Sequence, residues 1–272
     1  MDVHQLFDLS EHGPDTFVGI GPRYPWGGLY GGQIVAQALR AAASTVDDAL
    51  PCHSLRAYFI RRGDHGEPVR YEVDRIRNGR TFTTRRVVAR QAVGAILNLE
   101  ASFQAAESSA DVETVRIPLG LTPPTDALSQ EAWSPLFSRV WIPDTSLGGE
   151  GRTGAGRAAA WLRTDRPIGD EPLLHQCMLA FLSDDLPTDA VVRAHPLAEE
   201  MEAQRDVVFS ASLDHTMWFH RPLRVDEWHL HDFTCHSFVG GRGLTIGHIF
   251  AADGTHAATI AQEVLLRDSR RR

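Results

Sequence analysis

The spacing of apolar residues divides the chain into helical and strand-like stretches. Ile34, Val35, Ala38, Leu39, Ala42 and Val46 recur at helical intervals in an Ala-rich run, which predicts a helix from about residue 31 to 46. A Gly- and Pro-rich loop, 19–32, precedes it, and Pro51 prevents its continuation. Strand periodicity follows. Residues 52–61 form one candidate. In 67–76, Val69, Tyr71 and Val73 alternate with Arg70, Glu72 and Asp74, as on a half-buried strand. Asn78-Gly79 predicts a hairpin turn, because both positions accept positive φ. Segments 81–90 and 95–104 continue the meander, with Leu97, Leu99, Ala101 and Phe103 on one face.

The pattern lapses over 107–158, which holds Pro123, Pro124, Pro135, Pro143 and the Gly-rich run GGEGRTGAG. A connector with little regular structure is predicted there, packed through Trp133, Phe137, Val140 and Trp141. Then the first plan returns. Leu174, Met178, Phe181 and Leu182 share a face of a predicted helix over 172–185, with Pro187 beyond its end. Strands are predicted near 207–220, 228–238, 243–251 and 255–266, with turns at Gly240-Gly241 and Asp253-Gly254. The copies align by residue: Tyr58, Phe59 and Arg61 match Trp218, Phe219 and Arg221; Gly79-Arg80 matches Gly241-Arg242; Gln104 matches Gln262. An α+β chain of two repeats follows, each a long central helix wrapped by an antiparallel sheet. The expected units are 1–108, a connector at 109–158, and 159–272.

Composition narrows the chemistry. Of the 272 residues 27 are basic, and every one of them is Arg. Without lysine there is no Schiff base, P-loop lysine or Ser–Lys dyad. Arginine keeps its proton, so any base must be His, Asp, Glu, Tyr, Cys or water. A net charge of −8 argues against nucleic acid as a partner. The Arg270-Arg271-Arg272 tail reads as a solvated end. Cys52, Cys177 and Cys235 lack paired spacing, so neither a disulfide framework nor a zinc site is expected. No signal peptide or membrane-spanning run is legible, and the expected location is the cytoplasm.

Five blocks in order carry a resemblance: GGQIVAQAL (31–39), SLRAYFIRRGD (54–64), HQCMLAFLSD (175–184), LDHTMWFHRP (213–222) and TIAQE (259–263). Together they resemble the acyl-CoA thioesterase II family, which has a double-hotdog fold. The resemblance covers most of the chain and is weakest over 107–158. It implies hydrolysis of fatty acyl-CoA to fatty acid and CoA, no cofactor, no metal, and a homo-oligomer. It also implies a water-activating set of Asp184, Ser212 and Gln262. Ser212 stands where Thr is common in the family. Asp185 leaves the position of the carboxylate open by one residue.

Those residue types suit the reaction. A partly buried Asp can take a proton from water. A Ser hydroxyl both donates and accepts, and a Gln amide can hold water without deprotonating it. The backbone at Gly31 and Gly32, or at the start of the second helix, could face a developing oxyanion. Arg61 and Arg242, with Arg62 and Arg80, are candidates for CoA phosphates. Taken singly, an Asp before Leu-Pro is usually a cap, and a lone Ser or Gln in a strand is usually structural. Cys52 aligns with Ser212, so one working site per chain is expected. Trp26, Tyr30 and Trp218 are candidates to line an acyl tunnel. Two other readings use the same fold: a non-catalytic acyl-CoA binder, and an enoyl-CoA hydratase using Asp226 and His231. GRTGAG (151–156) lacks the strand and helix of a dinucleotide site. His215 and His220 read as packing and hydrogen-bonding residues.

Overall fold

The computed structural model describes residues 1–125, 130–147, 156–203 and 208–268. The Arg270–Arg272 tail and most of the GRTGAG run lie outside the described residues. A short helix, α1 (Val3–Phe7), opens the chain with a reciprocal cap between Asp2 and Gln5. Strands β1 (Ser10–Glu11) and β2 (Thr16–Gly19) follow. Loop residues then lead to α2 (Gly31–Ala43), which is buried on almost every side. Its Ala-rich sequence lets β-strands approach it closely. Two polar side chains inside it, Gln33 and Gln37, are satisfied by Tyr24, Tyr71 and the carbonyls of Leu6 and Ile20.

The first meander is β3 (Cys52–Phe59), β4 (Val69–Asn78), β5 (Phe82–Gln91) and β6 (Gly94–Gln104). The hairpin expected at Asn78-Gly79 forms over residues 79–81, but neither residue takes a positive φ. Within the expected connector the structure has more order than the Pro and Gly content suggested. Strands β7 (Gln130–Glu131) and β8 (Phe137–Trp141) extend the sheet beside β9 (Arg157–Thr164). Helix α3 (Pro172–Leu182) stops at Ser183, whose hydroxyl and amide turn back on Ala180 and Leu179. Pro187 does more than end it. It opens a second helix, α4 (Pro187–Ala194), at the position where a missing N–H costs nothing, and α5 (Ala198–Ala203) follows.

The strand predicted at 207–220 is broken. β10 (Val208–Ser212) and β11 (Asp214–Phe219) both pair with β14 (His256–Asp268), but Ser212 faces Val264 and Thr216 faces Ala261. Four residues therefore oppose three, which is a β-bulge around Leu213. β12 (His229–Val239) and β13 (Arg242–Ala251) precede β14 and are joined through Gly240 and Gly241, both at positive φ as in a type I′ hairpin. Among the described residues, all strands lie in one fourteen-stranded sheet. Its middle reads β2-β4-β5-β6-β3-β11-β14-β13-β12-β9, with the two meanders meeting where β3 pairs antiparallel with β11. α2 and α3 pack on each other against the concave core.

Arg85 shows what a buried arginine does here. It is 2% exposed and donates to Thr45 Oγ1 at 2.7 Å and the Thr45 carbonyl at 2.8 Å, just past the end of α2. It also reaches the Arg77 and Thr84 carbonyls. The cation thus ties the chain just past the negative end of α2 to the carbonyls of two strands. Arg85→Met should strand these acceptors and lower unfolding stability by roughly 3 kcal/mol, read from chemical denaturation.

Candidate active site

Three elements meet at Asp184. It follows the C-terminal cap of α3, it is 7% exposed, and it lies against the N-terminus of α2. Its Oδ1 accepts from Ser212 Oγ at 2.9 Å and from Gln262 Nε2 at 2.7 Å. Gln262 Nε2 also lies 2.9 Å from Ser212 Oγ. The backbone of Gly32 faces the same carboxylate. The structure therefore brings together Asp184, Ser212 and Gln262, with Gly31 and Gly32 alongside.

The neighbouring carboxylate is differently engaged. Asp185 accepts from Trp133 Nε1 at 2.6 Å and from Arg139 Nη1 at 2.7 Å, a largely buried ion pair. Of the two acidic residues, Asp184 is the one that shares hydrogen bonds with Ser212 and Gln262.

The absence of side chains at residues 31 and 32 makes the contact possible. A Cβ on Gly31 would stand 2.5 Å from Asp184 Oδ2 and 3.0 Å from the Phe59 ring. One on Gly32 would stand 2.3 Å from the Phe181 carbonyl. The helix thus delivers its first amides, and its positive end, directly onto a carboxylate.

His215 joins the set from behind. It is fully buried; its Nδ1 lies 2.5 Å from Gln262 Oε1 and its Nε2 2.9 Å from Ser183 Oγ. Because Gln262 turns its Nε2 toward Asp184, Oε1 is the acceptor, and the network assigns a proton to Nδ1. This histidine fixes which end of the amide faces the carboxylate. The bulge is what allows it: three residues apart on a regular strand, Ser212 and His215 would point to opposite faces. The sequence marked His215 only as a hydrogen-bonding residue; its adjacency to Gln262 depends on the bulge, which the alternation of apolar residues does not reveal.

Burial drives the Asp184 carboxyl above its ordinary value of 3.8, opposed by nearby His215 and by the hydrogen bonds from Gln262, Ser212 and Gly32. The group is thereby suited to accept a proton.

Other predicted residues lie elsewhere or are already engaged. Arg61 donates to the Ala95 carbonyl at 2.9 Å, and Arg62 to that of Trp26 at 2.7 Å. Arg242 is half-exposed and pairs with Glu263 at 3.2 Å. Trp26 and Tyr30 join Tyr24, Trp133 and Phe181 in an aromatic cluster beside Gly32, whereas Trp218 lies apart under the Arg56 guanidinium. His220 bonds Thr259 at 2.9 Å. His231 is fully buried with neither ring nitrogen paired, and Asp226 is held by Arg224 and the Ile168 amide. Among the described residues no group of three or more His, Cys, Asp or Glu is arranged to hold a metal ion, and no helix is long and apolar enough to cross a membrane.

Known proteins share this arrangement of chain. A protein of unknown function from Alicyclobacillus acidocaldarius, described as having a hot dog fold, superposes with a TM-score of 0.76 over 97% of both chains at 20% identity. The architecture is therefore a hotdog fold. The acyl-CoA thioesterase II TesB2 of Mycobacterium marinum superposes with a TM-score of 0.83 at 33% identity, covering 98% of this chain and 97% of that one. Acyl-coenzyme A thioesterase 8 of Mus musculus is 35% identical over 88% of this chain and 80% of its own. Residues 21–104 match the family profile described as acyl-CoA thioesterase N-terminal domain, and 114–266 the one described as acyl-CoA thioesterase C-terminal domain. The chain belongs to the TesB-like acyl-CoA thioesterase II family.

Two measurements test the site's physics. Gly→Ala within a helix usually stabilises by about 1 kcal/mol, but Gly32→Ala should instead destabilise by roughly 2 kcal/mol through the clash with the Phe181 carbonyl. A folded-state carboxyl raised above its unfolded value holds its proton more tightly in the native protein. Stability from this group is thus present at low pH and lost as pH rises from near 3.8 through the raised value. Denaturation across that window should show this slope in the native sequence and a shallower one in Asp184→Asn.

Proposed function

We infer that this chain hydrolyses fatty acyl-CoA to the fatty acid and free CoA, with Asp184 as base acting through water. The observation that carries the reading is the convergence of Ser212 Oγ and Gln262 Nε2 on one oxygen of Asp184. Family membership and the acyl-CoA thioesterase names of relatives over most of its length support it.

A water held between the Asp184 carboxylate and the Ser212 and Gln262 dipoles loses a proton to the carboxylate as its oxygen attacks the thioester carbon. The C–S bond breaks, and the proton passes to the departing CoA thiolate. The space over Oδ2 that a residue-31 side chain would fill is where the thioester carbon reaches the water. Gly31 and Gly32 then act through the helix end. Gly32 holds the carboxylate, and the positive end of α2 favours the negative charge that moves from carboxylate to oxyanion. Arg61 spends one of five N–H donors on the Ala95 carbonyl, and half-exposed Arg242 shares a single carboxylate; both have capacity for a CoA phosphate. The two matched helix-plus-meander units and the mirrored strand order support a double hotdog, with units near 1–108 and 159–272 and a connector between. The site falls on the contact of the two units. A cytoplasmic location and a homo-oligomer go with this reading.

Thiol release from acyl-CoA across chain lengths tests it. Asp184→Ala should cut kcat by about a thousandfold, within the usual range for a positioned base. Gln262→Ala should cost about a hundredfold, Ser212→Ala about tenfold, and Ser212→Thr should restore most of the loss. Asp185→Asn should leave kcat within a few-fold while lowering thermal stability, because it unpairs Arg139. An unchanged rate in Asp184→Ala would sink the assignment. Turnover of enoyl-CoA without thiol release would favour hydratase chemistry, and binding without turnover a non-catalytic acyl-CoA binder.

A further inference from the structure

A cavity of about 570 Å³ lies at the opposite end of the α2–α3 pair from Asp184. Its lining includes Cys52, Gln104, His175, Gln176, Leu179 and Phe219. Two of these are the repeat counterparts of residues around Asp184: Cys52 for Ser212, and Phe219 for Phe59, the ring that packs over Gly31. Gln104, aligned with Gln262 in sequence, faces the other side of its strand from buried Phe103. The strand order makes the relation spatial. β3 and β11 run antiparallel at the centre of the sheet, so the start of β3 and the end of β11 meet at one end, as the end of β3 and the start of β11 meet at the other. The catalytic set occupies the second end. The cavity occupies the first, at the N-terminus of α3, with Pro172 in its wall.

What differs between the two ends is the chemistry. Counted from the helix caps Ser183 and Ser44, the counterpart of Asp184 is Thr45. Its hydroxyl is already committed, accepting from Arg85 at 2.7 Å and donating to the Ala42 carbonyl at 2.8 Å. Cys52 replaces the serine, and burial pushes its thiol up to about 12, so it supplies no thiolate near neutral pH. The rim arginines are also committed: Arg221 pairs with Asp111 and Glu113, and Arg224 with Asp170 and Asp226. The cavity has a volume ordinary for a small-molecule site, apolar walls from Leu179, Phe219 and Leu223, and an amide at Gln104. The cavity lacks an Asp–Ser–Gln set, and the basic groups in its lining are engaged elsewhere: His53 with Ser102, His175 with the Gly169 carbonyl and Val225 amide, His220 with Thr259, Asp170 with Arg224 and Glu107 with Gln104.

Resting on the acyl-CoA hydrolase reading above, we propose that this cavity is a second, non-hydrolysing site for a fatty acyl group. The chain lies along Leu179 and Phe219 with its polar end toward Gln104. The same chemistry could arrive as acyl-CoA or as the freed fatty acid.

Calorimetric titration distinguishes these sources. The ligands are an S-alkyl-CoA thioether, whose C–S bond is not hydrolysed, and the free fatty acid of equal length. The thioether should compete with substrate at the catalytic site. The native chain should bind a second equivalent of acyl ligand, thioether or fatty acid according to source. Ala105→Trp and Ala106→Trp, both in the cavity wall, should each remove that equivalent while thiol release stays within about twofold, which also certifies folding. One equivalent for both ligands in the native chain overturns the proposal. So does a second equivalent that survives both tryptophans. A thioether that neither binds nor inhibits overturns the acyl-CoA reading itself, a separate failure from loss of the second equivalent alone.

Discussion

The pairing of β3 with β11 is the constraint on which the rest depends. It runs from Ser54 opposite Trp218 to Tyr58 opposite Asp214 and fuses two meanders into one sheet. With the sheet continuous, α2 and α3 are forced to share its concave side and to pack on each other. Their antiparallel ends then meet, and a carboxylate following one helix can rest on the first amides of the other. The Phe59 amide donates to the Leu213 carbonyl at 3.0 Å, so the same seam anchors the bulge that separates Ser212 from His215. One junction between strands thus sets the position of every residue around Asp184.

Burying that carboxylate is costly, and the structure compensates only in part. Two side-chain donors, one backbone amide and a helix dipole face it, yet burial still prevails and the carboxyl sits above its ordinary range. Asp185, by contrast, is paired with Trp133 and Arg139 and faces away from the oxygen that Ser212 and Gln262 share. Incomplete compensation is what gives Asp184 proton affinity. His215 adds precision rather than charge stabilisation alone: a Gln amide is nearly symmetric in shape, and a donor on its oxygen removes the flipped alternative.

The lysine-free composition has a structural counterpart. Arg85 uses its planar fork to reach four acceptors around the end of α2, and Arg221 and Arg224 each hold more than one carboxylate. An ammonium group could not match those geometries. Most arginines described here hold the protein's own oxygens.

By itself the sequence determined the two central helices, the strands of both meanders to within a few residues, and the repeat that relates them. Period and turn chemistry are local properties and can be read locally. It also supplied Asp184, Ser212 and Gln262, through the strings that surround them. It missed α1, β1 and β2, the strands β7, β8 and β9 in and beside the expected connector, and α4 and α5, which begin at or follow a Pro read only as the end of a helix. Only the tertiary structure decided between Asp184 and Asp185, placed His215 on Gln262, and required residues 31 and 32 to lack side chains. Those decisions rest on contacts between residues 28 to 153 positions apart, and on a one-residue bulge. No periodicity encodes them, because they exist only once the sheet has closed around both helices.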